Sequence, residues 1–302
     1  MKAWISGQFV EWEAAKLSIL SPSFGRGIAV FEILDVVQAS RRTAVFRLDA
    51  HLDRLCASAE LLHLTMPYDR DRLRRAVLET VRENNVSRGV VKLFAYYAEP
   101  DFGLIPHDPR IAVAMFAADF PTAYGKTQAE LAVPCTVGIS PYRKLDARTV
   151  AVHAKATGNY VNSFLARWDA RHKGYDDALL LDCNGLIAEG SLSNVFFVKA
   201  GKVLTPRLDS ALAGITRDSV IAITTSLELP LQERDITVEE AVSADEVFLT
   251  GSTVHVRAVR AIDGQDVGRS CPGPVTARIG SALADAIEGR DARYRQWLSY
   301  GE

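Results

Sequence analysis

His153-Ala154-Lys155-Ala156-Thr157-Gly158-Asn159-Tyr160 lies near the middle of the chain. Before it, residues 149–153 alternate in the manner of a strand. After it, Val161, Phe164, Leu165 and Trp168 recur at helical spacing, which predicts an amphipathic helix starting near Asn159. Lys155 therefore stands at an edge between a strand-like stretch and a helix. A lysine enclosed at such an edge has a depressed pKa, as a nucleophilic amine needs near neutral pH. Most lysines are instead solvated surface charges, so the reading of Lys155 rests on what accompanies it.

The composition is that of a soluble globular chain. Of 302 residues, 48% are hydrophobic and 24% charged, a balance that can bury a core and is unlike a disordered segment. The length suits two domains better than one. A formal net charge of -2 leaves no nucleic-acid footprint, and the basic residues are dispersed rather than striped. The densest basic run, Arg70, Arg72, Arg74 and Arg75, alternates with Asp69, Asp71 and Leu73 and reads as a solvated helix face, with an anion-binding patch as the alternative. No apolar stretch has the length of a signal peptide or a membrane span. Cys56, Cys135, Cys183 and Cys271 form no C-x-x-C pair. Free thiols in a reducing cytoplasm are expected, with no bound metal and no nucleic-acid or membrane partner.

Working outward to the N-terminus, residues 2–5 and 8–12 read as two strands joined by a turn at Ser6-Gly7. Further strands are expected over 28–37 and 44–47. Asp49 suits the N-cap of a helix carrying Leu52, Leu55, Ala59 and Leu62, with Pro67 as its stop. A second helix over 69–83 and strands over 90–97 and 111–116 complete an α/β unit. Residues 119–130 hold turn formers without periodicity and read as a linker, which divides the chain into domains at 1–118 and 131–302. In the second part, strands at 178–182 and 186–189 flank Asn184-Gly185, a type I′ turn signal. Strands at 194–199 and 203–205 form another hairpin, and helices are expected over 216–227 and 274–287. The fold class is α+β, with two mixed domains and no internal repeat.

Several chemistries are excluded: the chain has no G-x-S-x-G elbow, no Walker loop and no H-E-x-x-H. Gly25-Arg26-Gly27 begins like a dinucleotide fingerprint but lacks its third glycine. Gly214-Ile215-Thr216-Arg217 leads into a helix, where backbone N–H groups and the Thr216 hydroxyl make a phosphate seat; alone, it reads equally as a threonine N-cap. Thr250-Gly251-Ser252-Thr253 follows a strand and offers hydroxyls and amides, or a plain tight turn. Glu189 ends a strand, where a buried carboxylate pairs with a protonated ring nitrogen and an exposed one does nothing. Arg54 lies on the face of the first helix, within reach of a phosphate or of an intrahelical partner.

Taken together and in this order, the segments resemble the class IV aminotransferases, which include branched-chain aminotransferases, D-amino-acid aminotransferases and aminodeoxychorismate lyases. The likeness runs from about Trp4 to Arg278. It implies a D-amino-acid-aminotransferase-like fold of pyridoxal 5'-phosphate (PLP) fold type IV, with a small N-terminal α/β domain, a larger β-barrel-like domain and a homodimer or higher homo-oligomer. By the same resemblance Lys155 is the Schiff-base lysine. Tyr160 bonds the cofactor's phenolic oxygen and Glu189 faces its pyridine nitrogen. Arg54, Ile215, Thr216 and Ser252 form the phosphate cup.

The resemblance also places Phe31 in the substrate pocket, and with it Ile33, Lys92, Ser252 and Thr253. Lys155 to Tyr160 and Val30-Phe31-Glu32 look like the branched-chain type. That group has a glycine where Ile33 stands, which narrows the cavity, and an arginine where Lys92 stands. The implied reaction is ping-pong transamination between an aliphatic L-amino acid and a 2-keto acid such as 2-oxoglutarate. Residues 189–196 look like the D-amino-acid type, so D-amino-acid or (R)-amine transamination is the alternative. An aminodeoxychorismate-lyase-like activity and a non-catalytic PLP-binding protein stand behind it.

Overall fold

A computed structural model describes residues 1–301. The chain forms two compact units. The first gathers Met1–Thr127, Ala154–Asn159 and the C-terminal stretch from Ala286; the second gathers Gln128–His153 and Tyr160–Asp285. The segment carrying Lys155 and the C-terminal stretch are thus parts of the first unit, whereas the sequence reading placed both in the C-terminal domain.

The first unit is an antiparallel sheet with helices on one face. Its elements are β1 (Lys2–Ile5), β2 (Gln8–Glu11), α1 (Pro22–Arg26), β3 (Ala29–Ala39), β4 (Arg42–Phe46), α2 (Leu48–Leu61), α3 (Arg70–Glu83), β5 (Gly89–Tyr97), β6 (Ile111–Asp119) and α4 (Phe120–Tyr124). The C-terminal strand Leu298–Tyr300 pairs with β4 and opens the order that continues β4-β3-β5-β6-β1-β2. Strand alternation sends Val30, Leu34, Val36, Val91, Leu93 and Met115 to one face. There they pack on Leu52 and Leu55 of α2 and on Leu73 and Val77 of α3.

The second unit is built on a mixed sheet. It contains α5 (Gln128–Leu131), β7 (Cys135–Ile139), α6 (Tyr160–His172), β8 (Asp177–Leu181), β9 (Ile187–Gly190), β10 (Asn194–Lys199), β11 (Lys202–Thr205), α7 (Ile215–Ser226), β12 (Leu231–Glu233), α8 (Val238–Val242), β13 (Glu246–Gly251), β14 (His255–Ile262), β15 (Gln265–Asp266) and α9 (Pro274–Ile287). The strand order is β12-β11-β10-β13-β14-β7-β8-β9, with β15 on β14. Gly190 N–H donates to the Ser193 carbonyl (2.7 Å), tying the β9 end back to β10, and the sheet curls into a half-barrel. Val137, Leu179, Val195, Phe197, Leu249 and Val259 fill one face, and Ala166 and Ala170 of α6 pack on Ala178 and Leu180.

Several local expectations are corrected. Asp49 does not cap α2. Arg47 holds the N-cap position in the left-handed region (φ 52°), and Asp49 turns to Arg74 at 2.6 Å, a stronger partner than a backbone N–H. The same helix ends at Leu61, well before Pro67. Residues 149–153 are turns rather than a strand. The stretch 119–130 is not structureless: Asp119 accepts from Thr122 N–H and starts α4, and α5 follows. Asn184-Gly185 does not form a type I′ turn, because the Asp182 carboxylate accepts from the N–H groups of Asn184 and Leu186 and holds a wider loop. Two successive positive φ values occur instead at Ala200-Gly201 (49° and 75°), as they do at Ser6-Gly7, Ser40-Arg41 and Asp263-Gly264. The Val161–Phe164–Leu165–Trp168 stripe is exposed, and the small residues Ser163, Ala166 and Ala170 form the packed face of α6.

The segment Ala154–Asn159 is stitched to the first unit through its backbone. Lys155 C=O accepts from Phe31 N–H (3.0 Å), Gly158 N–H donates to Gly27 C=O (3.1 Å), and the Thr157 hydroxyl donates to the same carbonyl (2.7 Å). Gly27 ends α1 in the left-handed region (φ 68°), and a Cβ there would stand 2.8 Å from Gly158 Cα. Gly25-Arg26-Gly27 is thus a helix end in close approach to the lysine segment. Gly27→Ala adds backbone strain of about 1–2 kcal/mol and a backbone clash. We predict a lower urea midpoint for this variant, with a loss on the order of 2 kcal/mol or more. A midpoint equal to that of the parent would contradict the close packing.

Candidate active site

The first unit places two groups of side chains around β3. On one face of this strand, Phe31 stands opposite Phe94 and Ile33 opposite Lys92 in the β3–β5 register. Lys155 Nζ lies 4.8 Å from the Phe31 ring centroid; Lys92 Nζ lies 5.8 Å from Phe31 and 5.0 Å from Phe94. Both ammonium groups therefore sit in cation–π range of one aromatic platform. Burial and the Lys155 charge hold Lys92 below the ordinary lysine range. Four sequence-derived residues, Lys155, Phe31, Ile33 and Lys92, are thus brought together. The Lys155 backbone N–H donates to Ser58 Oγ on α2 at 3.0 Å.

On the opposite face, Glu32 is 1% exposed and receives Arg54 from α2 through two bonds of 2.7 Å, Nε to Oε1 and Nη2 to Oε2. His51 Nδ1 contacts Glu32 Oε2 at 2.7 Å. Burial pushes Glu32 upward, but Arg54 and then His51 overcome it and hold the carboxyl at about 2. Burial is also the main reason that His51 lies below the ordinary imidazole value, against the pull of Glu32. Arg54 is therefore placed by a buried carboxylate on the neighbouring strand. Nothing in sequence spacing linked Glu32 to it.

In the second unit Glu189, Leu212, Gly214 at the start of α7 and Thr250 meet at Asn194. Glu189 is 6% exposed and pairs with Lys144 Nζ, and it also accepts from Leu212 N–H (3.2 Å) and Asn194 Nδ2 (3.4 Å). Lys144 runs beside β8, its N–H on the Leu181 carbonyl at 2.7 Å, which brings its side chain to the carboxylate. Asn194 also donates to the Leu212 carbonyl (3.0 Å), and its Oδ1 occupies the space that a Cβ on Gly214 would need, 1.9 Å away. Gly214 caps α7 without a side-chain bond, and Ile215 and Thr216 are its first residues, so Thr216 is not the N-cap. Thr250 faces Asn194 across β13 and β10; its hydroxyl is buried with no partner among the described residues. Ser252 and Thr253 follow in the turn to β14, where Gln128 donates to the Thr253 carbonyl at 3.3 Å. Tyr160 opens α6, partly buried.

A family description, amino-transferase class IV, matches residues 29–262. The chain belongs to the class IV aminotransferases. It is 32% identical over 294 residues to a branched-chain-amino-acid aminotransferase of Pseudomonas aeruginosa, covering 97% of this chain and 95% of that one. The Escherichia coli K12 relative of the same name is 32% identical over 296 residues, covering 98% and 96%. Among solved structures, the branched-chain aminotransferase of Thermoproteus uzoniensis with norvaline superposes with a TM-score of 0.93 at 35% identity, covering 99% of each chain. The branched-chain amino acid aminotransferase of Thermobaculum terrenum in its PLP form gives 0.91 at 29%, covering 99% of this chain and 97% of that one.

Sequence reading missed Glu32, His51, Lys144 and Asn194. Lys144 carries no motif signal, and Asn194 lies within the 189–196 segment but meets Glu189 only when the strands fold side by side. Glu32 stood within a quoted motif, and its burial between Val30 and Leu34 was the available clue. The buried carboxylate and imidazole make the first unit acid-sensitive. Both have folded pKa values below their ordinary ones, so the unfolded chain binds these protons more readily. Their stabilisation is complete above 6.5; it falls with pH first through His51, then through Glu32 between 4.5 and about 2. Urea midpoints measured from neutral pH down to the Glu32 value of about 2 should follow this course, and Glu32→Gln should flatten the part below 4.5. An unaltered slope in that variant would count against the assignment.

Proposed function

We propose that this chain is a PLP-dependent aminotransferase that moves an amino group between a branched-chain-like aliphatic L-amino acid and a 2-keto acid such as 2-oxoglutarate. The observation that carries the reading is the pinning of Lys155 by backbone bonds beside Phe31, with its amine over an aromatic face. The donor set suits the cofactor. A buried carboxylate meets the need of a protonated ring nitrogen, a helix start without a side-chain cap meets that of a phosphate, and the unpartnered Thr250 hydroxyl leaves a buried polar atom for a ligand to satisfy. When bound, PLP supplies an electron-withdrawing ring that stabilises negative charge at the substrate Cα.

Lys155 would hold the cofactor through its aldehyde carbon and would serve as the general base for the substrate Cα proton. Glu189, held by Lys144, Asn194 and the Leu212 N–H, keeps the ring nitrogen protonated. Tyr160 donates to the phenolic oxygen. Arg54, the N–H groups of Ile215 and Thr216, and the hydroxyl of Ser252 hold the phosphate. Phe31 and Ile33 offer an apolar surface to an aliphatic side chain, with Ser252 and Thr253 at the substrate's polar end. Lys92 offers its ammonium to a distal carboxylate of a dicarboxylic keto acid. Parallel double-reciprocal plots with L-leucine and 2-oxoglutarate are expected, with turnover abolished in Lys155→Ala and reduced by about two orders of magnitude or more in Glu189→Gln. Turnover of D-alanine well above that of L-leucine would overturn the L-selective reading.

We also infer a homodimer at work in a reducing cytoplasm. Val161, Phe164 and Trp168 on α6 are 62%, 60% and 56% exposed, and Phe164 stacks on Trp168 at 5.7 Å. Such a stripe of large apolar side chains suits a second copy of the chain better than water. The four cysteines are free, and no helix is long and apolar enough to cross a membrane among the described residues. Sedimentation velocity should give a dimer for the parent and a monomer for Trp168→Glu. A monomeric parent would refute the self-association.

A further inference from the structure

Glu32 is an expensive residue to keep where it stands. It projects from β3 between Val30 and Leu34, both 0% exposed, into the core shared with α2. A carboxylate taken out of water there costs several kcal/mol unless fully paired, and an apolar replacement of similar shape is often no worse for stability. All the partners come from one helix: the Arg54 fork closes on both oxygens, and His51, three residues earlier, bonds the second. The same helix holds the Lys155 backbone through Ser58, one turn beyond Arg54. One rigid element thus sets the positions of the lysine segment and of the guanidinium.

We propose that Glu32, supported by His51, is a positioning residue that locks the Arg54 guanidinium in its phosphate-gripping orientation before any cofactor arrives. This rests on the assignment of Arg54 to the cofactor phosphate. A planar guanidinium bound edge-on by a carboxylate has one orientation left, so its side-chain freedom is lost on folding rather than on binding. The lock brings no net attraction, because the Glu32 charge offsets that of Arg54, and His51 adds none in its neutral form. What Arg54 offers a phosphate is a placed donor group. Charge and placement therefore predict opposite results for Glu32→Gln: loss of a negative charge beside the phosphate strengthens binding, and loss of the lock weakens it.

The test compares PLP with pyridoxal, which carries the same aldehyde but no phosphate. Dissociation constants for both are measured by equilibrium titration of the apoprotein, for the parent, Arg54→Met, Glu32→Gln and the double variant. Arg54→Met should weaken PLP at least about tenfold and leave pyridoxal unchanged. Glu32→Gln should weaken PLP by about tenfold, again without affecting pyridoxal, and the double variant should be no worse than Arg54→Met alone, because both act through one group. If Arg54→Met leaves the ratio of the two constants unchanged, the assignment of Arg54 itself fails. If Arg54→Met lowers PLP affinity while Glu32→Gln preserves or improves it, or weakens both ligands equally, the positioning role is overturned. Should Glu32→Gln not fold, Glu32→Asp keeps the charge, shortens the arm and carries the same expectation.

Discussion

The Lys155 segment is held to the first unit by its backbone. Phe31 N–H, Gly27 C=O and Ser58 Oγ bind residues 155 to 158 from three separate elements of the first unit. Gly27 and Gly158 allow the chains to approach closely enough for those bonds to form. A side chain that works as an anchor and as a base must leave and return to one place. Backbone fixation leaves the side chain free to do so while its Cα stays put. Preorganisation of this kind is what a catalytic amine requires.

Buried charge is handled by one rule in both units. Glu32 and Glu189 each lie almost wholly out of water, and each is met by a cation and by further donors: Arg54 and His51 for the first, Lys144, Asn194 and the Leu212 N–H for the second. Measured against apolar residues of similar shape, neither arrangement adds much stability, because charges must first be taken out of water. Their value lies in direction. A carboxylate gripped at several points has a defined orientation, and the groups it grips are oriented in turn.

Most strands and helices were legible from hydrophobic periodicity, since burial on one face of α2, α3 or β5 leaves a mark at every turn or every second residue. The failures share physical causes. Asp49 is a good capping residue, but Arg74, distant in sequence, is a better partner. Asn184-Gly185 favours a tight turn, but the Asp182 side chain closes a wider one. The Val161–Trp168 stripe has helical spacing, yet a periodic apolar face does not say whether it meets its own chain. Within the candidate site, the residues proposed from the sequence, Lys155, Glu189 and Thr216 among them, are those that carry motifs. The supporting contacts were invisible: Lys144 reaches Glu189 from far along the chain, and Asn194, five residues from Glu189, meets it only once β9 and β10 fold side by side.

The central claim is that Lys155 bears the cofactor. Its most direct test is borohydride reduction of the PLP-loaded protein, followed by proteolysis and mass spectrometry of the peptides. A single reduced pyridoxyl adduct is expected, on the peptide containing Lys155. An adduct on Lys92, Lys144 or another lysine, with the Lys155 peptide unmodified, would contradict it.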